Sequence, residues 1–215
     1  MNTVNNTLIV PAILETDIRE VENKLHVCES MGEWVHIDIL DGKFVENTSV
    51  SLDDIATLET DLKREVHLMV KNPLVYLRAA NDYGFDRAII HIEAVEDLGE
   101  LEVLLNEIEI EVAIAINPET PIAAIAGLIP SLTSVLCMTI NPGKQGQPFM
   151  PEVMDKVKAL YTEFPSLEIE VDGGINEHTI LGAKSVGATR FVVGSGISKA
   201  SNPRAMYEKL ITMIQ

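Results

Sequence analysis

The chain has 215 residues, 47% hydrophobic and 23% charged, with 16 basic side chains against 33 acidic ones and a formal net charge of −17. That length and apolar share describe a folded core, and the acidic excess argues against nucleic acid and anionic membranes, which both call for clustered Lys and Arg. No apolar run nears the roughly 20 residues of a spanning helix, the opening MNTVNNTLIVPAIL lacks a leader pattern, and Cys28 and Cys137 make no metal or redox spacing, so a cytoplasmic protein with reduced thiols is expected.

In chain order, Val- and Ile-rich runs predict strands at Leu8–Leu14, Trp34–Ile39, Glu65–Val70, Arg87–His91, Glu111–Ile116, Ser134–Ile140, Glu168–Val171 and Thr189–Val193. Helical stripes lie between them. Ile18, Val21, Leu25 and Cys28 form one that stops at Gly32, and Leu98, Leu101, Leu105 and Ile108 form another. Leu52–Leu58 and Ile122–Ile129 are weaker and predict short helices. Pro151 and Pro203 fit first-turn positions, the second behind Asn202 as a candidate cap, and the last helix runs through Met206, Leu210 and Met213.

Strands that alternate with helices imply parallel pairing with right-handed crossovers. At about 27 residues per unit, eight units predict a compact (β/α)8 barrel, one domain over residues 1–215. A doubly wound sheet is the main alternative, but its glycine-rich turn falls early. Here Gly143, Gly146, Gly173, Gly174, Gly194 and Gly196 fall late, where barrels bind phosphate.

A barrel gathers its chemistry at the C-terminal ends of its strands. His36 and Asp38 are two residues apart and so share a side of their strand. If that side faces inward, they converge with His67 and Asp172 into a mixed N/O set suited to Zn²⁺, Mn²⁺, Fe²⁺ or Co²⁺. Taken singly, each histidine also reads as a hydrogen-bonded structural residue, and Asp172 as a turn former. Gly173-Gly174 and Gly194-Ser195-Gly196 each follow a strand, where backbone N–H groups hold phosphate without added cationic charge. Ordinary tight turns have the same appearance.

With these residues in view, the sequence resembles the ribulose-phosphate 3-epimerase family over nearly its whole length. The resemblance rests on His36-Ile-Asp38-Ile-Leu-Asp41-Gly42, Glu65-Val-His67-Leu-Met69-Val, Asn117-Pro-Glu-Thr-Pro121, Met138-Thr-Ile-Asn141-Pro142-Gly143, Ile169-Glu-Val-Asp172-Gly173-Gly174 and Val193-Gly194-Ser195. It implies a cytoplasmic barrel enzyme of the pentose phosphate pathway holding one divalent ion (Zn, Fe, Mn or Co) on His36, Asp38, His67 and Asp172. It implies Asp38 and Asp172 as the acid–base pair and Met69 and Met138 as pocket walls. Gly143, Gly146, Gly173, Gly174, Gly194 and Ser195 are implied to hold the sugar phosphate, and a homo-oligomer is expected. The implied reaction interconverts D-ribulose 5-phosphate and D-xylulose 5-phosphate by two-base proton transfer at C3 through an enediolate.

The chain departs from that family at four places. Ala12 stands for a usual serine, Leu40 for a third methionine and Glu46 for a proline, and Lys144-Gln145 replace an aromatic residue and a glycine. These changes keep other readings open: a 3-epimerase of another ketose phosphate such as allulose 6-phosphate, or a weakly catalytic sugar-phosphate-binding barrel. An aldolase or decarboxylase would more naturally carry a barrel lysine, and none of the eight strand ends supplies one. His26 and His178 read as surface residues.

Overall fold

The computed structural model describes residues 7–215; the part of the leader reading that concerns residues 1–6 lies outside it. Eight strands, β1 Leu8–Ile13, β2 Trp34–Leu40, β3 Lys63–Met69, β4 Arg87–His91, β5 Glu111–Ile116, β6 Ser134–Met138, β7 Glu168–Asp172 and β8 Arg190–Val193, close into an all-parallel barrel in sequence order. This is a (β/α)8 barrel. Strand limits differ from expectation by a few residues: β3 starts at Lys63, β2 reaches Leu40, and β6 stops at Met138, where the chain turns at Thr139 onto the carbonyl of Asp172.

The surrounding helices are α1 Ile18–Cys28, α2 Leu52–Ala56, α3 Pro73–Asp82, α4 Leu98–Glu107, α5 Val153–Glu163, α6 Ile180–Ser185, α7 Ser195–Ser198 and α8 Pro203–Ile214. At α1, α2, α4 and α8 the start follows from a side-chain oxygen that satisfies a first free N–H group. Asp17 caps α1 through Arg19 N at 2.9 Å, Asp97 caps α4, and Asn202 caps α8 ahead of Pro203. Two stripes sit slightly rotated from the sequence reading. Leu101 and Leu104 are the buried residues of α4 while Leu98 is exposed, and α8 buries Tyr207, Leu210 and Ile214. Residues 122–129 form no α-helix. Pro121, Gly127 and Pro130 punctuate that stretch, and only the 3₁₀ turns Ile122–Ala124 and Ile129–Ser131 form. Pro151 likewise precedes α5, in a turn, instead of lying inside its first turn.

The main core lies between the barrel and its helices. A second apolar cluster, Ile89, Ala113, Ala115, Leu136, Met138 and Ile140, fills the barrel interior on the β4–β6 side. Beneath it, toward the N-terminal ends of the strands, the interior is charged. Arg87 pairs with Glu170 (2.8 Å) and Glu65 (3.1 Å), and Arg190 pairs with Glu65 (2.8 Å). All four side chains are buried, so each charge depends on its neighbours for solvation. This floor supports the mouth above it.

Candidate active site

Because side chains alternate along a strand, His36 and Asp38 rise above one another on the inner face of β2. β3 pairs with β2 in a register that sets Glu65 beside His36 and His67 beside Asp38. Asp172 ends β7, next to Met138 of β6. The barrel thus brings His36, Asp38, His67 and Asp172 together, each offering a ligand-type atom within 4.8 Å of the others. Asp38 Oδ1 lies 3.2 Å from both His36 Nε2 and His67 Nδ1, and Asp172 Oδ2 lies 3.7 Å from His67 Nδ1. Donors about 2.0–2.1 Å from a tetrahedral ion stand roughly 3.3 Å apart, so these spacings fit one small dication.

The two histidines are buried and the two acids face an open cleft. That cleft is lined by Asp38, Asp172, Met69, Met138, Gly143, Gly146, Gly173, Gly174, Gly194 and Ser195, together with Ala12, Lys144 and Gln145. Leu40 is buried but takes no part in the lining. His26 and His178 are exposed and remote.

The cluster sorts its charges. Burial pushes Asp172 up to about 7, with Asp38 and Glu65 adding to the rise. Burial would raise Asp38 too, but its close contacts with the ring nitrogens of His36 and His67 more than offset it and hold that carboxyl far below the ordinary range. Burial, reinforced by His91 and His36, lowers His67 to about 4, so its ring is neutral. A neutral imidazole has a lone pair to offer a metal.

The glycine turns are backbone devices. Gly173 and Gly174 have φ of +114° and +66°, and a Cβ on either would stand 2.9 Å from the backbone of Ile140 or Phe149. Only glycine fits both constraints. The loop after β6 folds back on the mouth: Gly143 abuts Val45, its carbonyl accepts from Asn47 Nδ2 at 2.7 Å, and the Gln145 side chain lies over Gly194.

Sequence reasoning passed over a second layer. His36 Nδ1 donates to Glu65 Oε1 at 2.6 Å, and His67 Nε2 meets His91 Nε2 at 2.9 Å, with Glu93 behind it. A signal was present, because Glu65 and Glu170 stand two residues before His67 and Asp172 and therefore share their inward side.

An eight-stranded parallel barrel with acids, imidazoles and glycine turns at its C-terminal mouth belongs to the TIM-barrel class of enzymes. Within that class, the family model described as the Ribulose-phosphate 3 epimerase family matches residues 8–198. The chain is 35% identical to the ribulose-phosphate 3-epimerase of Candida glabrata, covering 91% of this chain and 87% of that protein. It is 36% identical to the cytoplasmic isoform of ribulose-phosphate 3-epimerase from Oryza sativa subsp. japonica, covering 91% and 89%. The solved 3-hexulose-6-phosphate synthase of Salmonella typhimurium superposes with a TM-score of 0.70 at 15% identity over 96% of this chain and 97% of that one, a likeness of fold. The chain belongs to the ribulose-phosphate 3-epimerase family of carbohydrate isomerases.

Proposed function

We propose that this protein is a metal-dependent epimerase that interconverts D-ribulose 5-phosphate and D-xylulose 5-phosphate. The observation that carries the reading is the pair Asp38 and Asp172, which approach the same His67 nitrogen at 3.2 and 3.7 Å from different strands and both face the cleft. Epimerisation beside a ketone needs a base on one face of the carbon and an acid on the other.

In this reading the ionised carboxylate, Asp38 in the charge state described above, removes the C3 proton. The C–H electron pair moves into the C2–C3 bond as charge passes to the C2 oxygen. Asp172, whose carboxyl burial pushes up to about 7, returns one to the opposite face of C3. The carboxyls exchange roles in the reverse direction, and nothing is oxidised or reduced. His36, Asp38, His67 and Asp172 would hold one divalent ion, of Zn, Fe, Mn or Co type, which stabilises charge on the two adjacent substrate oxygens. Met69 and Met138 give the cleft a polarisable apolar wall that excludes water from the enediolate. Gly173, Gly174, Gly194 and Ser195, with Gly143 and Gly146 in the facing loop, receive the phosphate through backbone amides, which suits an anion on a protein of net charge −17.

A cytoplasmic location belongs to the same proposal. The rice relative is named a cytoplasmic isoform, and no helix among the described residues is long and apolar enough to cross a membrane. Ala12 and Gln145 in the cleft lining favour one second reading, 3-epimerisation of another ketose phosphate such as allulose 6-phosphate. Incubation of metal-loaded protein in deuterium oxide with a panel of ketose phosphates decides between them. Deuterium is expected at C3 of the pentulose phosphates. Exchange into a hexulose phosphate alone moves the assignment to the second reading, and no exchange into any of them overturns both.

A further inference from the structure

His67 Nε2 and His91 Nε2 stand 2.9 Å apart, with the rings inclined at 18°. Two ring nitrogens at that distance share a single proton, so one ring donates and the other accepts. On its far side His91 presents Nδ1 to Glu93 Oε2 at 3.2 Å. The other oxygen of Glu93 already accepts from Asn117 N–H at 2.7 Å and from the Thr120 hydroxyl. An ionised carboxylate only accepts, so the Nδ1 of His91 carries that ring's proton. Its Nε2 is then a lone pair, and the proton between the rings belongs to His67 Nε2. This leaves His67 Nδ1 as a lone pair aimed at Asp38 and Asp172. The arrangement is also sheltered: His91 is fully buried, and the Phe44 ring covers it at 4.8 Å.

We propose that His91 and Glu93 are positioning residues: Glu93 sets the direction of the His67–His91 hydrogen bond, and that direction keeps His67 Nδ1 available to a divalent ion. The inference rests on the four-residue metal reading above. The relay parallels the simpler contact on the other histidine, where Glu65 accepts directly from His36. Partners that fix a ligating imidazole in this way are worth about 10–100-fold in metal affinity.

The test uses Glu93→Gln, which keeps size and shape. Its amide oxygen stays with Asn117 N–H and Thr120, so its NH₂ faces His91 Nδ1 and reverses the relay. Metal-stripped wild type and variant are titrated with Co²⁺, followed by visible absorption, and ring protonation in the Zn²⁺-loaded wild type is read by ¹⁵N NMR. The expected result is a loss of cobalt affinity of about 10–100-fold in the variant, with His91 protonated on Nδ1 in the wild type. Equal, tight binding by both proteins overturns the relay alone, and no binding by the wild type overturns the metal reading and the relay with it. If the variant does not fold, the wild-type spectrum decides: a His91 proton on Nε2 overturns the proposal, and one on Nδ1 upholds it.

Discussion

His36 donates from Nδ1 to Glu65 Oε1 across 2.6 Å, and this contact joins the mouth of the barrel to its floor. Glu65 is also the partner of Arg87 at 3.1 Å and Arg190 at 2.8 Å, all of them buried. One carboxylate therefore orients an active-site imidazole and balances two guanidinium groups. Glu65→Ala is expected to lower unfolding free energy by about 3–5 kcal/mol, because it removes the nearest partner of buried Arg190 and leaves that guanidinium only Glu170 at 3.4 Å. Urea denaturation measures the change. A loss below about 1 kcal/mol would show that water reaches the floor and that the network is not sealed.

Asp38→Asn and Asp172→Asn are each expected to slow turnover by about 10³-fold or more, since each removes a proposed proton-transfer group. Both side chains also belong to the candidate metal cluster, so metal content is measured on the same samples. A variant that retains its metal and loses turnover identifies the proton-transfer role. Retention of near-wild-type rates by either would exclude that acid from the chemistry.

How much of this was legible in the sequence follows from what each feature depends on. Strand-end residues such as His36, Asp38 and Asp172 are readable because two-residue alternation and the barrel's polarity together place them at the mouth. Gly173-Gly174 is readable because glycine is the residue that positive φ selects. The floor is different. That Glu65 points inward follows from its spacing to His67, but its partners come from β4 and β8, and only the register of the closed barrel sets Arg87 and Arg190 beside it. The His67–His91–Glu93 relay is hidden for the same reason. Helix faces drift as well: Leu104 rather than Leu105 is buried in α4, a one-residue rotation that a stripe of leucines leaves undetermined.

Gly174→Ala and Gly187→Ala separate site from scaffold. Gly187, at φ +112°, lies against the Tyr161 ring, away from the cleft lining, while Gly174 lines the cleft beside the Phe149 backbone. Both substitutions force a side chain into left-handed backbone and are expected to cost about 1–3 kcal/mol. Only Gly174→Ala is expected to raise KM for the sugar phosphate, because it moves amides that line the cleft and are proposed to receive the phosphate. Equal KM effects would remove the Gly173–Gly174 turn from the substrate site.

Cys28 and Cys137 give a pH dependence of stability. Burial pushes their thiols up to about 11 and about 12, and in the unfolded chain they titrate near 8.5. The folded state holds protons that the unfolded state releases, so this contribution is fully present below about pH 8.5 and is lost as pH rises toward 11. Each thiol steepens the loss by about 1 kcal/mol per pH unit in that window. A Cys28→Ala/Cys137→Ala double variant is expected to show a shallower decline above pH 9 in urea midpoints, and identical slopes would place both thiols in contact with water.

Ala12 and Gln145 are the positions where specificity should be adjustable. Ala12 lies on β1 in register with His36 and lines the cleft without a hydrogen-bonding group, while Gln145 reaches across from the β6–α5 loop to the Gly194 turn. A hydroxyl at position 12 adds one donor and acceptor beside the substrate, and one net hydrogen bond is worth about 1 kcal/mol, or roughly fivefold. Ala12→Ser is therefore expected to lower KM for D-ribulose 5-phosphate by about that factor with kcat little changed. Gln145→Gly removes the side chain covering Gly194 and is expected to widen tolerance for a longer sugar phosphate, read as a rise in the hexulose-to-pentulose ratio of kcat/KM. If Ala12→Ser instead impairs the pentulose phosphate and Gln145→Gly leaves the ratio unmoved, the cleft is shaped for a different ketose, and the panel of phosphates identifies which.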